Sequence, residues 1–230
     1  MSERAAKRQK VHAKPILHSY WRSSCSWRVR IALNMKKLDY EYKAVHLLNE
    51  GGQQLKDDFA AKNPSKELPC LQIDGMNLAQ SMAIISYLEE TVDGGEQIFP
   101  KDPKLRYMTR RLCDIIGTGI QPIQNLRVLK YNMAKVEGKE EKTKVKLEWG
   151  KYWIDLGFQA LERALQESCG KYCVGDRVTC ADLFLVPQVY NANRFGVDMT
   201  KYPTIARIDK ALSEIPAFKK AHPSVQPDAQ

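Results

Sequence analysis

The spacing of apolar residues changes part-way along this chain, and the change predicts two architectures in succession. Residues 16–20, Ile16-Leu17-His18-Ser19-Tyr20, form a short apolar run that reads as a strand. Residues 39–47 set Tyr40, Tyr42 and Ala44 against Glu41 and Lys43, the alternation of a half-buried strand. Between the two, Trp27, Ile31 and Met35 recur at every fourth position, one face of a helix that begins directly after the first strand. Gly51-Gly52 opens a short helix through Lys62, which Asn63-Pro64 stops. A further strand starts at Leu68-Pro69-Cys70-Leu71, and Asp74-Gly75 between two apolar runs signals a hairpin. Residues 81–91 then place Met82, Ile85 and Leu88 on one helical face.

Beyond Asp93-Gly94-Gly95, Pro100 and Pro103 the strand signals stop. Helices are predicted over 105–133, 142–168, 179–193 and 204–213, with a short turn at 217–221. Thr179-Cys180-Ala181-Asp182 reads as a capping box at the start of a buried helix. The first part, strand-helix-strand-helix-strand-strand-helix, has the thioredoxin-like order, with parallel pairing across the first crossover and antiparallel pairing in the hairpin. The expected organisation is a flexible basic tail over 1–13, an α/β thioredoxin-like domain over 14–92, a linker over 93–103 and an all-helical bundle domain over 104–230.

Composition narrows the function classes. At 230 residues and 43% hydrophobic the chain can hold two modest cores. No run approaches the roughly 20 apolar residues of a membrane span, and the polar, basic start lacks the core of a signal peptide, so a soluble cytoplasmic protein is expected. Within the tail, Lys7-Arg8-Gln9-Lys10 reads as a solubilising cluster rather than a nuclear signal. Lysine and arginine outnumber acids by 36 to 27, a net +9 that raises the question of nucleic acid. Glu137, Glu140 and Glu141 are interleaved with the lysines of 135–146, as on a solvated helix face, so no nucleic-acid partner is expected and the excess charge suits small anions. The six cysteines (25, 70, 113, 169, 173 and 180) contain no Cys-x-x-Cys pair, and with four histidines they predict no metal site and reduced thiols. Cys25 stands apart because a helix N-terminus lowers a thiol's pKa.

The candidate chemistry centres on Ser23-Ser24-Cys25-Ser26-Trp27-Arg28-Val29-Arg30. Three hydroxyls and a thiol sit where a helix leaves its first N–H groups unpaired, with Arg22, Arg28 and Arg30 around them, and such an end favours a bound anion. Serines there also serve as plain N-caps. Ser23, nearest the loop, is expected to point its hydroxyl at the ligand, while Ser24 and Ser26 are expected to be spent on helix N–H groups.

The string Ser-Ser-Cys, an aromatic residue and Arg-Val-Arg-Ile-Ala-Leu resembles the zeta class of glutathione transferases, the family of maleylacetoacetate isomerase. The resemblance covers nearly all of the chain after Lys14 and implies the glutathione transferase fold, glutathione as cofactor and a homodimer. It further implies that Ser23, Ser24 and Cys25 are catalytic. Glutathione contacts are carried over to Ser23, Ser24, Cys25, Ser26, Trp27, Arg28, Gln54, Leu68, Pro69, Gln80, Ser81, Gln121, Asn125, Leu126 and Arg127. In the family the X-Pro bond at Leu68-Pro69 is cis, the pair at Gln80-Ser81 takes the γ-glutamyl end, and the position of Gln54 meets the glycine end. Arg22, Arg28 and Arg194 are assigned to the carboxylates of a dicarboxylate substrate. Cys70 after the proline and the basic Arg127 depart from the usual pattern, the first placing a further thiol near the site.

The implied reaction is glutathione-dependent cis–trans isomerisation of maleylacetoacetate to fumarylacetoacetate in tyrosine and phenylalanine breakdown: thiolate addition, bond rotation and elimination. A lower thiol pKa helps departure more than attack, because nucleophilicity falls with pKa, so positioning and charge stabilisation carry the addition. A general transferase that conjugates or dehalogenates small α-halo acids would use the same cofactor site, and a non-catalytic binding module of the same fold is a third reading.

Overall fold

The computed structural model describes residues 14–230, and the basic segment read as a tail at 1–13 lies outside the described residues. The described chain forms two compact units, one of residues up to Ile98 together with Pro216–Gln230, the other Phe99–Ile215.

The first unit is built on a four-stranded sheet in the order β2-β1-β3-β4. Its strands are β1 (Ile16–Ser19), β2 (Glu41–Ala44), β3 (Cys70–Ile73) and β4 (Met76–Ala79). β1 pairs in parallel with β2 and antiparallel with β3, and β3 and β4 form the hairpin predicted at Asp74-Gly75. In β1, Leu17, His18 and Ser19 are all buried, as an inner strand covered on both faces requires. β2 is shorter than the predicted 39–47 and mostly exposed, because it pairs on one side only.

Helix α1 (Ser24–Met35) follows β1, and all of it except Cys25 and Asn34 is buried, so the single apolar face read from Trp27, Ile31 and Met35 understates its enclosure. The predicted helix from Gly51 to Lys62 is instead two 3₁₀ turns, Asn49–Gly51 and Gln53–Leu55, and the single-turn α2 (Asp57–Ala60). Gly51 and Gly52 hold φ of 78° and 117°, which no helix can continue through. Helix α3 (Ser81–Thr91) packs on α1.

The linker predicted over 93–103 is divided. Glu96 N–H donates to the Met35 carbonyl and Ile98 N–H to the Glu89 carboxylate, which also pairs with the buried Lys36, so the stretch to Ile98 belongs to the first unit. At the other end, residues 216–230 were expected in the helical domain and instead pack on the first unit. Helix α9 (Pro216–Ala221) lies on α1, where Asn34 Nδ2 donates to the Ala217 carbonyl at 3.0 Å.

The second unit holds α4 (Pro103–Asp114), α5 (Leu126–Met133), α6 (Lys139–Gln166), α7 (Cys180–Arg194) and α8 (Pro203–Ser213). The single helix predicted over 105–133 is broken: α4 runs into a π-helical turn, Ile115–Ile120, and α5 starts afresh after Pro122, which has no N–H to continue the ladder. Gly157 of α6 lets that turn approach, since a Cβ there would stand 2.3 Å from Ile120 Cγ1. Phe158, Leu161, Leu165, Phe184, Ile208 and Leu212 form the buried interior. The predicted cap at Thr179 is present in that the buried Asp182 carboxylate accepts the N–H groups of Thr179 at 2.7 Å and Cys173 at 2.9 Å. The lysine- and glutamate-rich start of α6 is exposed, as a solvated face should be.

Candidate active site

At the end of β1 the chain turns through Tyr20 to Ser23, closed by the Ser23 N–H on the Tyr20 carbonyl at 2.9 Å, and α1 begins. Ser23 is the N-cap, its Oγ accepting the Ser26 N–H at 3.2 Å. The expectation that Ser24 and Ser26 do the capping is therefore corrected. Only the last residue with extended backbone, here Ser23 at φ −70° and ψ 115°, can reach the N–H three residues on. A hydroxyl that accepts keeps its own proton, so the half-buried Ser23 can cap and still donate. Ser24 is buried, and Cys25 is half-buried with a free thiol. The Ser26 hydroxyl is fully buried and meets no hydrogen-bond partner among the described residues.

The arginines do not form the ring of cations around the turn that the sequence suggests. Arg22 is half-buried with its guanidinium 5.1 Å from the Trp21 ring centroid. Arg28 is buried and its Nη1 donates to Ser81 Oγ at 3.3 Å, so it meets the start of α3. Arg30 is fully enclosed, donating to the Ala221 carbonyl at 3.1 Å, Ser19 Oγ at 3.1 Å and the Trp21 carbonyl at 2.9 Å. Desolvation pulls its pKa down to about 10. Trp27 is buried too, its ring edge-on to His222 at 5.2 Å.

Packing brings Leu68 and Ser81 to the surroundings of this turn. Tyr20 and Trp21, just before Ser23, share a buried cluster with Val45, Phe59, Leu68 and Cys70. Val45, Phe59 and Leu68 each contribute about 1.5–3 kcal/mol by leaving water. The Leu68–Pro69 bond is cis, and Leu68 stands just outside the β1–β3 ladder, which starts at Cys70. The Cys70 thiol faces the interior and desolvation raises its pKa, so the extra thiol is not offered to a ligand. Ser81, buried, opens α3, while Gln80 before it adopts φ 67° and makes no side-chain cap bond. A non-glycine residue held there costs about 1–3 kcal/mol, a strain typical of ligand-clamping positions. Gln54 is buried, its Oε1 meets no donor among the described residues, and its Nε2 would stand 2.7 Å from a Cβ on Gly52.

The remaining predicted positions belong to the second unit. Gln121 ends the π-helical turn, its N–H on the Ile116 carbonyl at 2.9 Å. Asn125 caps α5 by accepting the Arg127 N–H at 3.2 Å, Leu126 is half-buried and the Arg127 side chain is exposed. Arg194 ends α7, exposed, donating to Asn191 Oδ1 at 3.3 Å and lying 5.9 Å from the centroids of the Tyr190 and Phe195 rings. Sequence reasoning placed Arg30 at the turn as a cation but missed that it braces the Trp21 carbonyl, and it missed the link from Tyr42 through the Asp228 carboxylate to the Trp21 N–H. A lone buried arginine, an alternating tyrosine and a near-terminal aspartate carry no local signal of such a role.

Comparison with known proteins identifies the family. Residues 14–90 match the glutathione S-transferase N-terminal domain and 126–221 the glutathione S-transferase C-terminal domain. A maleylacetoacetate isomerase of Dictyostelium discoideum is 52% identical over 94% of this chain and 97% of its own. A crystal structure of maleylacetoacetate isomerase from Anaeromyxobacter dehalogenans 2CP-1, with dicarboxyethyl glutathione and citrate bound in the active site, is similar at a TM-score of 0.82 and 40% identity. It covers 94% of this chain and 98% of its own. The holo structure of a maleyl pyruvate isomerase, described as a bacterial glutathione S-transferase of the zeta class, gives a TM-score of 0.87 at 42% identity, covering 94% of this chain and all of its own. With both domain families matched in order and the Ser-Ser-Cys turn, the cis-proline and the start of α3 held in one unit, the chain belongs to the zeta class of the glutathione S-transferase family.

Proposed function

We propose that this protein isomerises maleylacetoacetate to fumarylacetoacetate with glutathione as its cofactor, in the breakdown of tyrosine and phenylalanine. The observation that carries the reading is the buried hydrogen bond from Arg28 to Ser81, which links the helix that starts at Ser24 to the start of α3. Each start favours an anion, and glutathione brings two kinds, a carboxylate and an ionisable sulfur. The residues present fit it. Gln80 and Ser81 would hold the γ-glutamyl carboxylate, the Leu68 backbone the cysteinyl amide, and Gln54, whose buried Oε1 meets no donor among the described residues, would accept the N–H at the glycine end.

When bound, glutathione supplies a thiolate that adds to the cis double bond, lets the resulting single bond turn and departs again. Ser23 offers its hydroxyl proton to the sulfur while the Ser26 N–H holds its oxygen, and a hydrogen bond to a charged atom contributes about 1.5–3 kcal/mol. Cys25 is accessory. Arg28, committed to Ser81, shapes the carboxylate end, which leaves Arg22 and Arg194 to attract the substrate's carboxylates. The net charge of +9 adds a long-range pull on a dianion.

No helix among the described residues is long and apolar enough to cross a membrane, and the proposed setting is a cytoplasmic homodimer. The test is incubation of the purified protein with maleylacetoacetate, with and without glutathione, following loss of the cis isomer. Glutathione-dependent turnover is expected. Equal turnover without it would overturn the cofactor reading, and conjugation of an α-halo acid outrunning isomerisation would move the protein to the general transferases. Sedimentation of the same sample tests the dimer.

A further inference from the structure

Residues 216–230 do more than cover α1. After α9 the chain bends back, held by Gln226 Nε2 on the Lys220 and His222 carbonyls at 3.0 and 2.8 Å. This returns Asp228 to the turn between β1 and α1. Its Oδ2 accepts the Trp21 N–H at 3.0 Å and its Oδ1 accepts the Tyr42 hydroxyl at 2.6 Å. The carbonyl of the same residue, Trp21, accepts from Arg30 Nη2 at 2.9 Å. Trp21 is thus gripped at both of its backbone polar groups by charged side chains, one from α1 and one from 207 residues further along. Ser23 is two residues on, in a turn closed on Tyr20, so its hydroxyl inherits its position from this grip.

We infer that Asp228 is a positioning residue for the reaction: it sets the place of the Ser23 hydroxyl, and through it the acidity of the cofactor's thiol, by clamping Trp21. The inference rests on Ser23 being the sulfur's donor. Three alternatives to positioning can be told apart. Asp228 is an anion, and a charge acting directly through space would raise the thiol pKa, so losing it would make the bound thiol more acidic. Loss of the clamp does the opposite. A merely structural role would lower the unfolding temperature and leave the bound thiol unchanged. Passive covering of α1 would leave both unchanged.

The experiment is ultraviolet titration of the thiolate of glutathione bound to the full-length protein, with steady-state kinetics, for Asp228→Ala, Asp228→Asn, Tyr42→Phe and Ser23→Ala. Asp228→Ala is expected to raise the bound thiol's pKa and lower kcat about tenfold at nearly constant KM for glutathione, one clamp of two being lost where a full ~1 Å misplacement costs on the order of 10²-fold. Asp228→Asn keeps an acceptor for the Trp21 N–H and is expected to recover most of the loss. Tyr42→Phe frees one oxygen of Asp228 and is expected to give a smaller change in the same direction. A thiol pKa in Asp228→Ala that is unchanged or lower, while Ser23→Ala raises it, overturns the role of Asp228 alone. An unchanged value in Ser23→Ala overturns the underlying assignment of Ser23. Should Asp228→Ala fail to fold, the Asn and Phe variants decide: no shift in Tyr42→Phe together with a lower thiol pKa in Asp228→Asn overturns the inference.

Discussion

Arg28 Nη1 and Ser81 Oγ lie 3.3 Å apart, both residues buried, and so connect α1 to the first residue of α3 across 53 positions of sequence. Ser81→Ala removes an acceptor from a charged donor out of water, a loss of about 1.5–3 kcal/mol. Because both groups stand at the carboxylate end, the loss is expected mainly as a glutathione KM raised roughly 10- to 100-fold, with kcat changed less. The dependence of rate on glutathione concentration measures it. An unchanged KM would reduce Ser81 to a helix-starting residue.

Ser23 both caps α1 and is assigned to the sulfur, and the two roles separate by substitution. Ser23→Ala is expected to cost about 1 kcal/mol of stability as a lost cap, whereas Ser23→Gly costs only a few tenths. Both lose the hydroxyl, so both are expected to lower glutathione-dependent isomerisation about 10- to 200-fold. Ser24→Ala and Cys25→Ala are expected to lose less. A Ser23→Gly enzyme near wild type beside an inactive Ser24→Ala or Cys25→Ala would move the assignment.

His18 lies buried in β1 with its Nε2 2.8 Å from Gln72 Oε1, and desolvation holds its pKa below the ordinary 6.5. The unfolded chain therefore takes up a proton that the folded chain still refuses. The stability contribution is complete above about pH 6.5 and is lost as pH falls through the folded value. Urea unfolding at about pH 7.5 and about pH 5.5 is expected to show a larger acid loss in wild type than in His18→Gln. His222, lowered mainly by burial, adds a change of the same sign to both proteins and cancels in the comparison. Equal acid losses would show that His18 does not titrate in this way.

Asp182 accepts the Thr179 and Cys173 N–H groups and the Thr179 hydroxyl from a fully buried position. Asp182→Ala leaves two buried N–H groups and the Thr179 hydroxyl unmatched and is expected to cost about 2–4 kcal/mol. Asp182→Asn retains one acceptor and is expected to cost about half as much. Chemical unfolding measures both, and a neutral Asp182→Ala would contradict the capping role.

Glu162 supplies a second buried carboxylate cap, receiving the N–H groups of Thr204 at 2.8 Å and Ile205 at 3.0 Å at the start of α8. Glu162→Gln keeps one acceptor and is expected to destabilise by about 1 kcal/mol, with Glu162→Ala costing about twice that. Unfolding of the two variants side by side checks the ratio, and equal losses would point to packing rather than capping.

Local chemistry carried much of this protein in its sequence. The alternation around Tyr40 and Tyr42, the Asp74-Gly75 turn and the Thr179–Asp182 spacing each report on neighbours a few residues away, and β2, the β3–β4 hairpin and the cap of α7 stand where those signals lie. The Ser-Ser-Cys turn was equally legible, because a strand, hydroxyls and a helical face follow one another directly. Only the tertiary structure decided which serine caps, since that depends on where the backbone leaves the extended region. It also broke the helix predicted over 105–133, where apolar spacing continues past Pro122 although the hydrogen-bond ladder cannot. Above all it decided the fate of the charges. Arg28 and Arg30 read as cations ringing the turn until Ser81, the Trp21 and Ala221 carbonyls and Ser19 are brought around them, and Asp228 falls in the predicted helical domain until folding returns it to Trp21. Partners separated by tens to hundreds of residues leave no period in a sequence, because the contact is made by packing and not by the spacing of the residues that make it.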